Sequence, residues 1–485
     1  MIDTQTFTSK IIELLPYSPN EQQLAVAGAL ARFCMASDRP EGVFILNGYA
    51  GTGKTTLCGA LVRALESYKV KTVLLAPTGR AAKVFSANSC GHKAYTIHRQ
   101  IYKHASNPGT GFFPTPGTAT NNFRDTFFIV DEASMIGASD DNGTNLLADL
   151  VEYVYAGDNC HLILLGDTAQ LPPVGADRSP AMNPDVLRSF GLKVTHAVLT
   201  ETARQAADSG ILFNATRLRR VMARIRNMGE NQELPIPKLV CKSFDDVRIV
   251  EGEDLTELLT YAYDQADNGP ADTILITRSN RRATEYNRGI RGQVLYREEE
   301  LEKGDMLIVA RNQYFSKKQS QGLEFIANGD IVTVERVHGT ETRYGLRFAD
   351  VALTTSEGIL LDTKILLDTL QDESAGLGQE AWNNLYYGIL SDDDRYGDIP
   401  PQSRLASLRT DPYWTALHVK YAYAITCHKA QGGQWKNVFV DLAYIPADAL
   451  GMSLYRWLYT AVTRAKTRLY LISPPQELIY GSNSE

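Results

Sequence analysis

Short apolar segments recur along the first half of the chain, and each one ends in a polar or glycine-rich turn. The first four are 43–46, 72–76, 126–130 and 161–165, with helical apolar periodicity between them. Continuous apolar runs of this length are typical of strands buried on both faces of a parallel sheet. The same pattern resumes after a polar, proline-containing stretch at 230–245. The periodicity therefore predicts two α/β units in tandem.

Three internal segments break this alternation. Between 303 and 365, short runs with a period of two are separated by turns, which predicts a small β-barrel inserted in the second unit. Residues 99–125 are punctuated by proline and glycine and carry the adjacent Phe112 and Phe113. They predict either a small excursion with exposed aromatics or a surface loop whose phenylalanines pack on the core. The segment 366–412 is acidic and turn-rich and predicts a surface excursion.

Composition places the chain among globular proteins of about three domains, since 44% of its 485 residues are hydrophobic and 22% are charged. No apolar run approaches the roughly 18 residues of a membrane span, and no secretory signal pattern is expected at the N-terminus. Six scattered cysteines without a C-x-x-C pair argue against a zinc site and predict a reducing, cytoplasmic compartment. The net charge of −7 disfavours a nucleic-acid partner only weakly, because a basic groove needs only local lysines and arginines.

The apolar segment 43–46 leads into Gly48-Tyr-Ala-Gly-Thr-Gly-Lys54-Thr55, which fits the P-loop pattern G-x-x-x-x-G-K-[ST] and opens a helix. Glycines let successive backbone N–H groups point at one anion, and the helix N-terminus adds its positive dipole end. We therefore predict a nucleoside triphosphate site in which Lys54 reaches the β- and γ-phosphates and the Thr55 hydroxyl binds Mg²⁺. The predicted phosphate-binding residues are Gly48, Ala50, Gly51, Thr52, Gly53, Lys54, Thr55 and Thr56.

Other polar side chains follow the ends of neighbouring strands, which form the ligand-binding edge of a parallel sheet. Asp131 and Glu132 end the third strand, where the first is predicted to hold Mg²⁺ and the second to polarise the attacking water. Gln170, after the fourth strand, is placed to contact the γ-phosphate or that water. Gln22 lies in the first turn of a helix near the P-loop and is either an adenine contact or a solvated glutamine.

Two arginines are candidates to complete this site from across a cleft between the units, Arg204 and Arg464. Such an arginine stabilises transition-state charge and couples hydrolysis to closure of the cleft. Residues 217–226 are also basic, and an amphipathic helix with a solvated face is favoured over a phosphate-tracking groove. Arg80 follows another strand end, where it either contacts a ligand or is a solvated helix-face charge.

Eight segments, taken in order, resemble the motifs of superfamily 1 helicases, and specifically of the RecD/Dda branch that moves 5′ to 3′ on DNA. They span nearly the whole chain, and the ordered set is far more specific than any one segment. The compact length is most similar to the Dda type, with the Pif-like helicases close to it. The segments are Gly48–Thr55, Ala76–Lys83, Thr96–His98, Val130–Met135, Gly166–Pro172, Arg204–Gln205, Thr426–Gly432 and Val462–Ala465.

The resemblance implies two tandem RecA-like P-loop domains of α/β class, with an inserted strand-separating pin and an inserted SH3-like β-barrel. The implied map is 1–98 with 126–235 for the first RecA-like domain, 99–125 for the pin, 236–302 with 413–485 for the second RecA-like domain, 303–365 for the barrel and 366–412 for the acidic excursion.

The resemblance also implies roles for single residues. Gln22 would contact adenine, and Arg204 and Arg464 would be arginine fingers. Phe112 or Phe113 as the wedge of the pin is a hypothesis from aromatic content and position. The residues expected along the strand-binding groove are Thr78, Arg80, Lys83, His98, Thr426 and His428. Gly79 stands where a Dda-like protein would place a histidine for a base contact, which puts that contact in question here.

The implied function is an ATP-dependent DNA helicase that uses ATP and Mg²⁺ and acts in DNA repair, recombination or replication. The expected partners are single-stranded DNA and duplex junctions, with single-strand-binding, replication or recombination proteins as further candidates. No membrane partner is expected, and the protein is expected to be a monomer. The alternatives are a motor subunit of an ATP-dependent exonuclease complex, an RNA or DNA helicase of the same superfamily, and an ATP-gated clamp, against which Glu132 argues.

Overall fold

The structure, a computed structural model, describes residues 3–36, 41–89, 91–102, 118–138, 145–201, 209–225, 227–228, 234–315, 323, 325–373, 376–445 and 451–480. These residues form two parallel sheets flanked by helices, together with a closed barrel and a two-stranded hairpin. The predicted fold class, two tandem RecA-like α/β domains with a small β-barrel, is confirmed. Every helix in these residues is too short or too polar to cross a bilayer.

The first domain contains, in chain order, α1 (Thr4–Glu13), α2 (Glu21–Met35), β1 (Gly42–Gly48), α3 (Lys54–Ser67), β2 (Lys71–Ala76), α4 (Gly79–Asn88), β3 (Ala94–Thr96), α5 (Ile97–Ile101), β4 (Thr126–Val130), α6 (Leu146–Tyr155), β5 (His161–Gly166), α7 (Pro184–Ser189) and β6 (Lys193–Leu199). The strands are parallel and lie in the order β3-β2-β4-β5-β1-β6. Phe44 and Leu46 of β1 belong to one apolar cluster, and Val43 and Ile45 belong to another. The strand is therefore buried on both faces, which explains its continuous apolar run.

The rest of the chain contains, in order, α8 (Gly210–Ile225), β7 (Val247–Val250), α9 (Leu255–Asp264), β8 (Thr273–Thr277), α10 (Asn280–Gly289), β9 (Met306–Val309), β10 (Gln313–Tyr314), β11 (Phe325–Ile326), β12 (Ile331–Arg343), β13 (Leu346–Thr355), β14 (Leu360–Leu366), α11 (Gln379–Leu390), α12 (Asp393–Tyr396), α13 (Pro401–Ser407), β15 (Leu417–Tyr421), β16 (Ala424–Thr426), β17 (Trp435–Asp441), α14 (Met452–Val462) and β18 (Ala465–Ile472). The second parallel sheet has the order β16-β8-β17-β18-β7.

The barrel is closed by a strand that lies outside the predicted segment 303–365. Strands β9, β12, β13 and β14 come from that segment, but β15 (Leu417–Tyr421) completes the ring by pairing with β14 and β9. Closure pairs both edges, so no unpaired edge strand is left at this point. The chain then passes directly from β15 into β16 of the second sheet, so the barrel and the second domain share a short connection.

The segment 366–412 is more ordered than the predicted surface excursion. It contains α11, α12 and α13, and Leu385, Ile389 and Leu408 from it are buried against Phe348 of β13. The acidic residues mask this helical apolar spacing in the sequence. The segment is therefore a helical cap on the barrel with a small core of its own.

Helix α8 packs with the second domain although the sequence-based map assigned residues up to 235 to the first. Its residues Ile211, Leu218 and Met222 belong to the apolar cluster of the second domain. Asn214 Nδ2 of this helix donates to the Val240 carbonyl at 2.8 Å. The basic residues of α8 predicted a solvated helix face, and the apolar stripe on its other face determines where the helix packs.

The predicted pin lies largely outside the described residues, which include neither Phe112 nor Phe113. Its two ends are described: Tyr102 and Thr118 form an antiparallel bridge, and the Ala119 N–H donates to the Ile101 carbonyl at 2.6 Å. The two ends of the predicted pin therefore lie next to each other in the first domain.

Candidate active site

The P-loop connects β1 to α3 through two glycines in the left-handed region. Gly51 has φ 75° and Gly53 has φ 77°, a conformation that glycine adopts without the cost that a side chain brings. A Cβ on Gly53 would also collide with the Tyr17 hydroxyl. Gly53 is the N-cap of α3 and offers no side-chain hydrogen bond, so the first N–H groups of this helix have no capping side chain. An anion can satisfy them.

Lys54 is buried, with only 8% of its surface exposed, and its Nζ lies 4.0 Å from Asp131 Oδ1. Burial lowers the pKa of Lys54, but three nearby carboxylates outweigh burial and raise that pKa overall. Those carboxylates belong to Asp131, Glu132 and Asp167. Lys54 is therefore a charged ammonium at the mouth of the P-loop.

Asp131 ends β4 beside the first turn of α3. The Thr55 hydroxyl donates to Asp131 Oδ2 at 3.4 Å, so the two predicted metal-binding oxygens are neighbours. Burial raises the pKa of Asp131, and the Lys54 ammonium opposes that rise. Two oxygen donors beside a phosphate-binding loop suit a hard cation such as Mg²⁺, which takes its remaining ligands from phosphate and water.

Glu132 and Gln170 each present a buried acceptor atom, Glu132 Oε2 and Gln170 Oε1, that has no hydrogen-bond partner among the described residues. Glu132 is held at φ 53°, a strained conformation for a residue with a side chain. Gln170 follows β5, is 6% exposed and adjoins a cavity of about 220 Å³. Buried acceptors are almost always paired in folded proteins, so these two atoms mark a place where a ligand or water binds.

The second domain reaches this site through α14 and the residues after it. Arg464 is 4% exposed and donates to the Thr460 carbonyl at 3.0 Å and the Gly433 carbonyl at 3.2 Å. Its positive charge is close enough to Lys54 to act on that residue's pKa in the lowering direction. Arg464 is therefore near enough to the P-loop lysine to interact with it electrostatically, and its role as an arginine finger remains a prediction. Arg204 falls outside the described residues.

Tyr459 also crosses the seam, although the sequence did not single it out. Its hydroxyl accepts from the Ala50 N–H of the P-loop at 2.8 Å and donates to Asp167 Oδ2 at 2.7 Å. A tyrosine on the buried face of a helix usually contributes to packing, so its residue type does not indicate a role at the nucleotide site. Its position five residues before Arg464 is a sequence feature that could have suggested one.

Two further residues near the P-loop were missed. Gln23 is 2% exposed, and its Nε2 donates to the Thr52 carbonyl at 2.9 Å. Arg219 of α8 lies 4.4 Å from the ring centre of Tyr49 and donates to the Thr200 carbonyl at 2.7 Å. In the sequence Arg219 is only one member of a basic helix, because its contact with the P-loop depends on how α8 packs.

Gln22 lies next to its predicted place but its amide already has protein partners. Its Oε1 accepts from the N–H groups of Thr200 and Glu201 at 2.9 and 3.1 Å, and its Nε2 donates to the Thr200 hydroxyl at 2.9 Å. These bonds fix the direction in which the amide points. Contact with adenine remains a prediction.

The residues predicted for the strand groove fall into separate places. Thr78 caps α4 by accepting from the Ala81 N–H at 3.2 Å. His98 lies on α5 with its ring 5.6 Å from that of Tyr102. Thr426 is a buried residue at the end of β16, and His428 is exposed in the turn that follows. Thr78 and Thr426 thus lie at strand ends, and the groove that would join these residues remains a prediction.

Arg80 and Lys83 of α4 make contacts outside their own domain. The Arg80 guanidinium lies 3.9 Å from the Trp435 ring centre, and its buried Nη1 has no hydrogen-bond partner in the part of the chain that the structure describes. Burial lowers the pKa of Arg80 to about 10, so it stays charged at neutral pH. Lys83 Nζ is 3.4 Å from Asp330 Oδ2 and 3.2 Å from the Ser356 hydroxyl, both near the barrel.

Gly79 has no room for a side chain in this arrangement. A Cβ there would collide with Ala327 and would lie 3.2 Å from Asp330 Oδ1. The loop that precedes β12 therefore occupies the space in which a histidine would stand.

Two family models match the chain. An AAA domain matches residues 20–231, and a UvrD-like helicase C-terminal domain matches residues 421–472. The first covers the P-loop and the strand-end residues up to α8, and the second covers β16 through Arg464. The first model thus matches the first RecA-like domain, and the second model matches the C-terminal part of the second domain.

Among known proteins, the chain is 32% identical over 171 residues to the ATP-dependent RecD2 DNA helicase of Deinococcus radiodurans. That match covers 35% of this chain and only 20% of the length of that relative. The uncharacterized protein R530 of Acanthamoeba polyphaga mimivirus is 23% identical over 517 residues, with 93% of this chain and 99% of that protein covered.

Solved structures of Pif1 helicases resemble the chain more distantly. Bacteroides Pif1 in complex with ADP-AlF3 and single-stranded DNA has a TM-score of 0.47 and 16% identity, with 96% of this chain and 95% of that chain covered. A Pif1 structure at forked duplex DNA has a TM-score of 0.49 and 15% identity, with 96% of this chain and 94% of that chain covered. The two family models, in the order that the motifs predict, assign the chain to the superfamily 1 helicases.

Proposed function

We propose that the protein is an ATP-dependent DNA helicase that moves 5′ to 3′ on single-stranded DNA and unwinds duplex, driven by hydrolysis of Mg²⁺-ATP between its two RecA-like domains. The observation that carries this proposal is the seam, where the Tyr459 hydroxyl of the second domain bonds to the P-loop of the first and the Arg464 charge acts on Lys54. A site shared by two domains changes when they separate, which is the requirement for coupling hydrolysis to movement.

The side chains present suit a nucleoside triphosphate and Mg²⁺. The uncapped start of α3 and the glycine-rich turn suit phosphate, and Lys54 supplies a fixed positive charge. Thr55 and Asp131 would hold Mg²⁺, which when bound supplies charge neutralisation at the phosphate oxygens. Gln22 is placed beside the P-loop, where its amide would contact adenine once its present hydrogen bonds are exchanged.

Glu132 is the proposed general base, because its unpaired buried carboxylate oxygen can accept a proton from an attacking water. Gln170 would orient that water or contact the γ-phosphate with its side-chain amide. Arg464, and Arg204 from outside the described residues, would stabilise the charge that develops in the transition state. Arg464 is held for this role by two backbone carbonyls of its own domain.

The strand is proposed to run along the sheet edges at Thr78, Lys83, His98, Thr426 and His428, with Arg80 at the contact between the domains. Phosphate contacts of this kind track a backbone without reading sequence, so little sequence specificity is expected. Closing and opening the seam would move the groove residues of one domain relative to those of the other.

The strand separator is proposed to be the chain between Tyr102 and Thr118, because its two ends are paired at the first domain and its sequence carries Phe112 and Phe113. Replacing both Phe112 and Phe113 by alanine is expected to lower unwinding of a forked duplex while ATP turnover stimulated by single-stranded DNA persists. An equal loss of both activities would contradict the wedge assignment.

The main test compares ATP turnover with and without single-stranded DNA. Strong stimulation supports the motor, and turnover that ignores DNA overturns it. Unwinding of duplexes with a 5′ or a 3′ single-stranded tail then decides the direction, with the 5′ tail expected to be required. RNA tails in the same assay test the RNA alternative.

A further inference from the structure

The second domain holds the segment 167–171 of the first domain at three points. Tyr459 donates to Asp167 Oδ2 at 2.7 Å, and the Leu171 N–H donates to the Thr460 hydroxyl oxygen at 2.8 Å. Gln431 Nε2 donates to the Leu171 carbonyl at 2.8 Å. We call these three side chains, Tyr459, Thr460 and Gln431, the clasp.

The clasp side chains bond to residues on both sides of Gln170. Asp167 precedes this residue by three positions and Leu171 follows it directly, and both are bonded to the second domain. The first domain fixes the start of the segment, since the Asp167 N–H donates to the Ser134 hydroxyl at 3.3 Å and the Thr168 N–H donates to Asn47 Oδ1 at 3.2 Å. At Leu171, directly after Gln170, both backbone hydrogen bonds go to the second domain, so the Gln170 end of the segment depends on contacts that exist when the two domains meet.

Tyr459 also contacts the P-loop directly. Its hydroxyl oxygen accepts from the Ala50 N–H while its proton goes to Asp167, so one hydroxyl links two segments of the nucleotide site. Tyr459 is 1% exposed, and a buried hydroxyl that uses both its donor and its acceptor leaves two unpaired partners when it is removed. Phenylalanine at this position keeps the ring and deletes only the link.

We propose that Tyr459 is a positioning residue that, with Thr460 and Gln431, sets the P-loop and Gln170 in their hydrolytic arrangement only when the seam is closed. Opening the seam breaks these bonds together, so the clasp ties hydrolysis to domain closure. The inference rests on the proposed ATP-driven cycle but not on the direction of movement or on the kind of nucleic acid.

The test is Tyr459→Phe, measured by steady-state ATP turnover with saturating single-stranded DNA and by the affinity for a fluorescent ADP. Turnover at saturating ATP is expected to fall about tenfold, the effect of losing a pair of buried hydrogen bonds in the active arrangement. ADP affinity is expected to stay within about twofold, because phosphate binding to the P-loop does not require the seam. This split between turnover and affinity distinguishes positioning from damage to the fold.

Tyr455→Phe is the matched control. Tyr455 lies one turn earlier on α14, is equally buried, and loses one hydrogen bond to the Pro235 carbonyl at 2.9 Å that is remote from the P-loop. Its turnover is expected to match that of the unmodified protein. Thr460→Val, which removes the acceptor for Leu171 without changing size, is the second variant and is expected to show the same split as Tyr459→Phe.

A Tyr459→Phe or Thr460→Val turnover within about fivefold of the unmodified rate overturns the proposal, and so does a loss of ADP affinity equal to the loss of turnover. If the unmodified protein hydrolyses ATP but ignores DNA, the proposed motor function fails. The comparison of variants is then made on the unstimulated rate, where the clasp is judged by the same criteria.

Discussion

The two RecA-like sheets end in similar turns, but the helices that follow those turns begin differently. After β1, the helix α3 has Gly53 as its N-cap residue, which provides no capping side chain. After β8 of the second sheet, the Ser279 hydroxyl accepts from the Arg282 N–H at 3.2 Å and caps α10. Thr78 caps α4 in the same way after β2. Of these three helix starts, only that of α3 leaves its N–H groups available to a phosphate.

The difference shows how one architecture divides its chemistry. The first sheet supplies a backbone site for anions, and its strand ends add Asp131 and Glu132. The second sheet supplies side chains that reach across, with Arg464 beside Lys54 and Tyr459 on the P-loop. At the start of α10 one N–H is already capped by Ser279, so the second domain is expected to contribute to the site through side chains, and only while it is close to the first.

Replacing Arg464 by alanine tests this division most severely. If the second domain acts on the nucleotide through this guanidinium, turnover falls by about a thousandfold, the magnitude typical of a lost arginine finger. ADP affinity should change little, because the backbone site belongs to the first domain. Measured turnover and fluorescent ADP binding give the two values.

Arg468→Ala is the control for that experiment, since Arg468 is an exposed arginine on the adjoining strand β18. It is expected to leave turnover unchanged. An Arg464→Ala protein that hydrolyses ATP at a normal rate would show that the second sheet plays no part in the site.

A smaller effect is expected at α4, the capped helix of the first domain. Because Thr78 already satisfies its helix start, binding of a strand there must use side chains such as Lys83. Lys83→Ala is expected to weaken binding of single-stranded DNA severalfold and to reduce the slope of log affinity against log salt by about one. Fluorescence anisotropy over a range of salt concentrations measures both.

Asp330→Asn should act in the opposite direction. Its carboxylate lies 3.4 Å from Lys83 Nζ and competes with a phosphate for that charge. Removing the negative charge is expected to tighten strand binding. If the two variants change affinity in the same direction, Lys83 is a structural contact with the barrel.

The smallest effect is expected at the capped helix of the second sheet. Ser279→Ala removes the N-cap of α10 and should lower the free energy of unfolding by about 1 kcal/mol, seen as a reduced thermal midpoint. ATP turnover should stay unchanged, because the nucleotide is proposed to bind at the uncapped start of α3 instead. A marked loss of turnover without a change in the midpoint would mean that the second edge also holds part of the nucleotide.

Local patterns predicted the parts of the fold that depend on neighbouring residues. The apolar segments 43–46 and 161–165 lie within β1 and β5, because strands covered on both faces leave a continuous apolar signature. The barrel's period-two runs were equally clear. The segment 366–412 was misjudged because acidic residues on the outer faces of its helices concealed a small apolar core.

Contacts across the chain could not be predicted in this way. Arg219 is an ordinary member of a basic helix until α8 packs beside Tyr49. The crowding of Gly79 depends on the loop at Ala327, far along the chain. Neither contact leaves a local pattern in composition or periodicity.

The sequence by itself determined the order of motifs, the two α/β units and the glycine-rich turn, because each of these is written in a few consecutive residues. Only the tertiary structure decided which side chains meet at the seam. The Ala50 N–H and the Tyr459 hydroxyl are 409 residues apart in the chain and 2.8 Å apart in space. Such a bond depends on the packing of two complete domains, and no stretch of the sequence records that packing.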